Sequence, residues 1–244
     1  MNKKEIDFNN INIITVAKVA SANFLRCNYK NKINKKHHGH SLLHLKNILE
    51  TTKNSLIIVG VRNPIDRNLS YLFQTKGNDL FNDVKTKNNN YKGEYCYIPE
   101  IKPNTPYKEI IKLYFKQNYH NTFNEWFCEF LEITKINSFN KKKGLDFYNF
   151  PNNNTIMIYT LEKLSENETE ICNLLGITNF QNTNNSNNRE YKNQYKEVKD
   201  NIIYKKQYLD NLLNTKIIRL FYNDSDIKKF YLKYKIFDEK IPKK

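Results

Sequence analysis

Two short runs of apolar, mostly β-branched residues stand out early in the chain, and each is followed at once by a helix signal. Ile11-Asn12-Ile13-Ile14-Thr15-Val16 predicts a buried strand, and Ser21 then caps a helix through Phe24 and Leu25. Ser55-Leu56-Ile57-Ile58-Val59-Gly60-Val61 is a continuous apolar run of the kind found in parallel sheets covered on both faces. Pro64 suits the first turn of the helix that follows it. Between these units a basic, histidine-containing loop over 30–40 leads to an amphipathic helix over 41–49. Thr105-Pro106 opens a helical stretch reaching to about residue 133, with Trp126, Phe127 and Phe130 on its apolar side. Thr155-Ile156-Met157-Ile158-Tyr159 is a third strand, and Ser165 and Glu168 form a capping box for a helix that stops at Gly176. The order of strands and helices predicts an α/β fold with a mainly parallel central sheet. Residues 76–103 read as a polar, Asn-rich surface excursion, 179–188 as a linker, and 189–235 as a helical C-terminal extension with Tyr, Leu and Phe at helical spacing.

Composition narrows this picture. The 244 residues suffice for one substantial core, and 17 Tyr and 15 Phe supply large apolar side chains for it. A single domain over 1–244 is expected, with a core at 11–75, acceptor-side segments at 76–150 and the tail at 189–235. Lys and Arg number 40 against 25 Asp and Glu, so the surface attracts anions, although charge alone does not choose among phosphate, nucleic acid and anionic glycan. Cys27, Cys96, Cys128 and Cys172 are scattered, which argues against a disulfide framework and against zinc. With no apolar leader and no run long enough for a membrane helix, the expectation is a cytoplasmic protein able to act at a membrane surface but not within the bilayer.

The chemistry concentrates at two turns. A strand followed by small residues and a helix start offers backbone N–H groups to a phosphate, with Lys18, the Ser21 hydroxyl and the amides of Ala22 and Asn23 within that turn. The glycines of a Walker A loop are missing, and an ordinary strand-to-helix turn remains an alternative. The second turn, Arg62-Asn63-Pro64-Ile65-Asp66-Arg67-Asn68-Leu69-Ser70, puts an arginine at a strand end and a hydroxyl two helical turns later, so that Arg62 and Ser70 can converge on a second anion. The bland alternative makes Asp66 and Arg67 surface ion pairs and leaves Arg62 capping a sheet edge. Two phosphate sites on neighbouring strands point to a doubly phosphorylated nucleotide.

These residues resemble the PAPS-dependent sulfotransferases. Lys18-Val19-Ala20-Ser21-Ala22-Asn23-Phe24 is similar to the family's 5′-phosphosulfate loop, and residues 61–70 to its 3′-phosphate motif. His37-His38-Gly39-His40 is similar to a His-Gly-His segment of the uronosyl 2-O-sulfotransferase branch, where a histidine serves as base. The stretch from Asn188 through Tyr195 to Tyr222 is similar to bacterial proteins described as capsular polysaccharide or lipopolysaccharide sulfotransferases. Gly144-Leu145-Asp146-Phe147-Tyr148 resembles a short segment near the family's acceptor cleft. Ala22 and Asn23 stand where many members carry Ser or Thr, and the Gly-rich adenine-side motif of the cytosolic branch is absent.

The resemblance implies a P-loop-like three-layer α/β/α domain using PAPS as sulfuryl donor, without a metal, and a carbohydrate acceptor such as a polysaccharide or a lipid-linked glycan. Its donor-binding residues would be Lys18, Ala20, Ser21, Ala22, Asn23, Phe24, Arg62 and Ser70. His40 is the expected base, with His38 second, and Lys18 would steady charge on the leaving phosphate. His44 either orients His40 or lies on a helix face, and His120 reads as structural. Two other classes stay open: a P-loop nucleotide or sugar kinase, against which the missing glycine-lysine loop argues, and a non-enzymatic polyanion-binding module. No helix-turn-helix, zinc or RRM signature supports nucleic acid as the partner.

Overall fold

The computed structural model describes residues 8–16, 19, 22–30, 33–74, 101, 104–116, 121–177 and 191–237. Strands form where the apolar runs lie: β1 (Asn10–Ile14), β3 (Ser55–Val61) and β5 (Asn154–Thr160). Two edge strands complete the sheet, β2 (Lys35–Gly39) and β4 (Leu145–Phe150). The order is β2-β1-β3-β5-β4, with β4 antiparallel to β5 and the other pairs parallel.

Alternation along each strand feeds two cores. Ile57, Val59 and Val61 join Ile14, Ile156 and Ile158 on one face, while Leu56 and Ile58 join Ile11, Ile13, Met157 and Tyr159 on the other. The second face is covered by α1 (Ala22–Arg26) and α6 (Glu168–Leu175), through Phe24, Ile171 and Leu175. The first is covered by α2 (Leu42–Thr51), α3 (Pro64–Gln74), α4 (Tyr107–Lys116) and α5 (Thr122–Thr134). The result is the expected three-layer arrangement of helices about a mainly parallel sheet.

The tail is more than an extension. Its helices α7 (Lys192–Asn201), α8 (Lys206–Leu213), α9 (Lys216–Phe221) and α10 (Asp224–Lys233) send Val198, Leu209, Leu213, Ile218, Phe221 and Ile227 into the first core. Two three-residue strands, β6 (Ile203–Lys205) and β7 (Lys235–Phe237), pair in parallel beside them.

Four local expectations change. The histidine loop is in part a strand, β2, whose polar residues suit an edge position paired on one side only. Gly144 to Tyr148 run into β4, at the opposite edge of the sheet, four strand spacings or about 19 Å from β2. The helical stretch beginning near 105 is two helices, α4 and α5. No capping box opens α6: Asn167 occupies the N-cap, and its amide donates to the carbonyls of Lys143 and Lys163 at 2.8 and 2.9 Å. Tertiary contact has overridden the local signal there. Gly176 ends α6 at φ 59° as expected. The excursion over 76–100, the linker over 179–188 and His120 lie outside the described residues.

Gly60 matters for the site. A Cβ there would come within 2.6 Å of Val19 and 2.7 Å of the Tyr159 hydroxyl, which itself donates to the Val19 carbonyl. The chain beyond β1 thus folds back onto β3 because β3 offers a position with no side chain. Gly60→Ala should lower unfolding stability by about 1–3 kcal/mol through overpacking, read from urea denaturation.

Candidate functional site at the carboxyl edge of the sheet

The chain leaves β1 for β2 on one side, whereas β3 lies on the other side of β1 with β5 beyond it. Adjacent parallel strands whose connections diverge in this way open a crevice beyond their carboxyl ends, the usual ligand position in open α/β sheets. The two turns singled out from the sequence both start here. Thr15 follows β1, Arg62 and Asn63 follow β3, His40 follows β2, and Glu162 lies just past β5. Lys18, Ala20 and Ser21 lie outside the described residues.

The first turn holds unsatisfied polar atoms. The Thr15 amide donates to the Gly39 carbonyl at 3.2 Å, and the Thr15 carbonyl accepts from His40 Nδ1. Its hydroxyl is fully buried without a hydrogen-bond partner among the described residues, as is the Oδ1 of Asn23, a residue 8% exposed. A buried polar atom left unpaired costs about 1–3 kcal/mol, a cost that a bound group reaching either atom would relieve. A threonine hydroxyl can donate to an anion, and the Asn23 amide can accept from a hydroxyl or, turned over, donate to a phosphate oxygen. Ala22 begins α1. Phe24 belongs to the core, its ring 5.2 Å from Tyr159, so any part it takes in binding is through its backbone.

The second turn is built around Asn63. Its Oδ1 accepts from the Ile65 amide at 2.9 Å at the head of α3, its Nδ2 donates to the Tyr234 hydroxyl at 2.7 Å, and its backbone N–H donates to Glu162 Oε1 at 2.8 Å. Arg62, beside it, is half-buried and hydrogen-bonds the Tyr195 hydroxyl. Burial raises that hydroxyl above its ordinary pKa, and the guanidinium pulls it partway back. The bland alternative for Asp66 and Arg67 holds in part, for Asp66 alone. Asp66 pairs with Lys233 of α10, and Arg67 is buried, donating to Asn68 Oδ1 at 2.9 Å and lying over the Tyr71 ring. Ser70 is half-buried further along α3.

The histidines divide between the faces of β2. His37 is in register with Asn12 and His38 with Ile13. The His37 ring lies 4.2 Å from His44 of α2, so His44 faces His37. His38 lies 5.3 Å from the His40 ring. Because the Thr15 carbonyl can only accept, His40 Nδ1 carries a hydrogen, and in the neutral ring Nε2 is then the basic nitrogen. The His40 carbonyl accepts from Trp126 Nε1 at 2.9 Å, which fixes the residue from its other end. Desolvation pushes His38 down to about 4, with the charges of His40 and His37 adding to it. His38 is therefore neutral at pH 7. Burial lowers His37 and His44 as well, with the charge of Lys35 adding to it at His37 and the charges of His37 and Lys35 at His44.

Sequence reasoning missed four residues. Thr15 was read as strand, Trp126 only as core, Tyr195 only as part of a resemblance, and Glu162, whose Oε2 accepts from the Tyr222 hydroxyl at 2.6 Å, was not noticed. Position just past the carboxyl end of a parallel strand was the available signal for Thr15 and Glu162. Nothing local marks Tyr195 or the indole of Trp126, which arrive by tertiary packing.

Thr15→Val removes a buried hydroxyl without changing shape, and should stabilise the ligand-free protein by about 1 kcal/mol while weakening anion binding. Denaturation and titration on one sample check both halves. A histidine with a lowered folded pKa contributes stability that is present above its unfolded value of about 6.5 and lost as pH falls towards the folded value. Stability should therefore drop between about pH 6.5 and 4, and His38→Gln should flatten that limb in pH-dependent thermal melts.

No protein-family model, curated protein or solved structure matches this chain.

Proposed function

We propose that the chain is a PAPS-dependent sulfotransferase, built on a P-loop-like version of the three-layer fold, that moves a sulfuryl group onto a hydroxyl of a carbohydrate. One observation carries the reading. Two turns with anion-binding chemistry follow adjacent parallel strands at a switch point, with unsatisfied buried polar atoms in one and an arginine in the other.

The bound donor would supply an activated sulfuryl group between a 5′-phosphate and the acceptor. In this reading Arg62 takes the 3′-phosphate with the Ser70 hydroxyl, while Thr15, Asn23, Lys18 and the backbone of residues 20–24 surround the 5′ side. His40 Nε2 accepts the proton of the acceptor hydroxyl as its oxygen bonds to sulfur. The sulfur–oxygen bond to the phosphate breaks, and Lys18 steadies the charge left on that phosphate. The Nδ1 bond to the Thr15 carbonyl holds the ring in the tautomer that this step needs. His38, neutral and beside it, adds no competing positive charge. The acceptor class, a surface polysaccharide or its lipid-linked precursor, follows from the resemblance described above.

The test is calorimetric titration of 3′-phosphoadenosine 5′-phosphate into the wild type, Arg62→Ala and His40→Ala without metal. The wild type should bind, Arg62→Ala should bind at least about tenfold more weakly, and His40→Ala should bind as well as wild type. In an assay with PAPS, His40→Ala should lose about 10²- to 10⁴-fold in transfer. Absence of binding to wild type would overturn the reading and leave a polyanion-binding module in its place.

A further inference from the structure

Six large apolar side chains are exposed among the described residues, and four of them belong to the β6–β7 ribbon or to the last turn of α10 just before it in the chain. Ile203 of β6 and Ile236 and Phe237 of β7 are 55%, 39% and 55% exposed, and Leu232, near the end of α10, is 77% exposed. A fifth, Phe115, sets its ring 5.9 Å from Tyr204 of β6. The register explains the grouping. Ile203 pairs with Lys235 and Lys205 with Phe237, and paired residues of a parallel ribbon share a face. One side of the ribbon, with Ile203, Lys205, Lys235 and Phe237, therefore alternates apolar and cationic positions, while Ile236 shares the other side with Tyr204, which turns inward and is buried. On α10, Lys228 and Lys229 lie four and three residues before Leu232, on the same helix face, and both are exposed.

Apolar side chains ringed by lysines match an interface with hydrocarbon below and negative charge above. A second copy of the chain would bring its own lysines against these, and the formal charge of +15 sharpens that repulsion. Nucleic acid would answer the lysines but leave Ile203 and Leu232 in water. Close by, Asp210 is engaged by Lys206 at 2.7 Å and by the Tyr231 hydroxyl, and Lys235 donates to the backbone carbonyl of Asp200. No described helix is long and apolar enough to cross a membrane, so contact would be at the surface.

We propose that the face formed by β6, β7 and the end of α10 docks on an anionic phospholipid bilayer, inserting Leu232, Ile203 and Phe237 among the headgroups while the lysines meet lipid phosphates. This inference does not depend on the reaction proposed above. Cosedimentation of the full chain with vesicles tests it, using phosphatidylcholine alone and phosphatidylcholine mixed with phosphatidylglycerol. The protein should partition onto the mixed vesicles, less so at high salt, and hardly onto the neutral ones. Leu232→Ser with Phe237→Ser, and separately Lys228→Glu with Lys229→Glu, should each weaken partitioning at least about tenfold, with circular-dichroism melts unchanged. Equal binding to both vesicle types, no binding to either, or variants that bind like wild type would overturn it. So would a dimer in sedimentation equilibrium that the Leu232→Ser/Phe237→Ser variant abolishes, since that would assign the face to a second copy.

Discussion

The site depends on the burial of β3. All seven of its residues are inaccessible, so the chain emerging from its carboxyl end carries polar backbone and side-chain groups that water does not reach. Asn63, itself fully buried, meets this constraint with three hydrogen bonds to three different parts of the molecule: the first turn of α3, the residue following β5, and the end of α10. The direction in which α3 leaves the sheet, and with it the position of Arg62, is held by those bonds. Arg62 can be half-buried beside Tyr195 because its neighbour has already satisfied the local backbone.

On the opposite side of the crevice the same logic runs through main-chain contacts. Tyr159 of β5 reaches over Gly60 to hold the Val19 carbonyl, and His40 and Thr15 tie the ends of β2 and β1 together. The carboxyl ends of the four parallel strands are thus tied together, β2 to β1 through His40 and Thr15, β5 to the segment after β1 across β3 through Tyr159, and β5 to β3 through Glu162 and the Asn63 amide. Among the described residues the buried side-chain polar atoms without a hydrogen-bond partner are the Thr15 hydroxyl, Asn23 Oδ1 and His44 Nε2.

What could be read from the sequence follows from where physical information is local. β1, β3 and β5 announce themselves because strands buried on both faces must be apolar throughout, and the turns after them inherit their positions. The Asn63-Pro64 start of α3 and the Gly176 stop of α6 are also local devices, a cap at one helix and a left-handed residue at the other. β2 was invisible because an edge strand lined by Lys and His carries no hydrophobic alternation; only its pairing with β1 makes it a strand. Glu168 looked like half of a capping box until Asn167 was drawn to carbonyls more than one turn away. Among the candidate residues, the place of Arg62 at the end of β3 follows from the apolar run before it, whereas His40 stands out only through the resemblance. The indole that holds the His40 carbonyl and the tyrosine that meets Arg62 come from segments far along the chain, and no pattern within a window of the sequence could connect them.

That distance bears on how the protein is made. Asn63 finds Tyr234, and Asp66 finds Lys233, across separations of 171 and 167 residues. Synthesis runs from the amino end, so the sheet's first three strands exist long before the residues that complete the second turn. Until α10 emerges, the Asn63 amide and the Asp66 carboxylate must rely on water or on transient partners, and closing so long a loop is slow relative to local helix formation. Chains truncated before residue 233 would keep most of the core and lack these two links, so the second turn reaches its final geometry only after α10 has been synthesised.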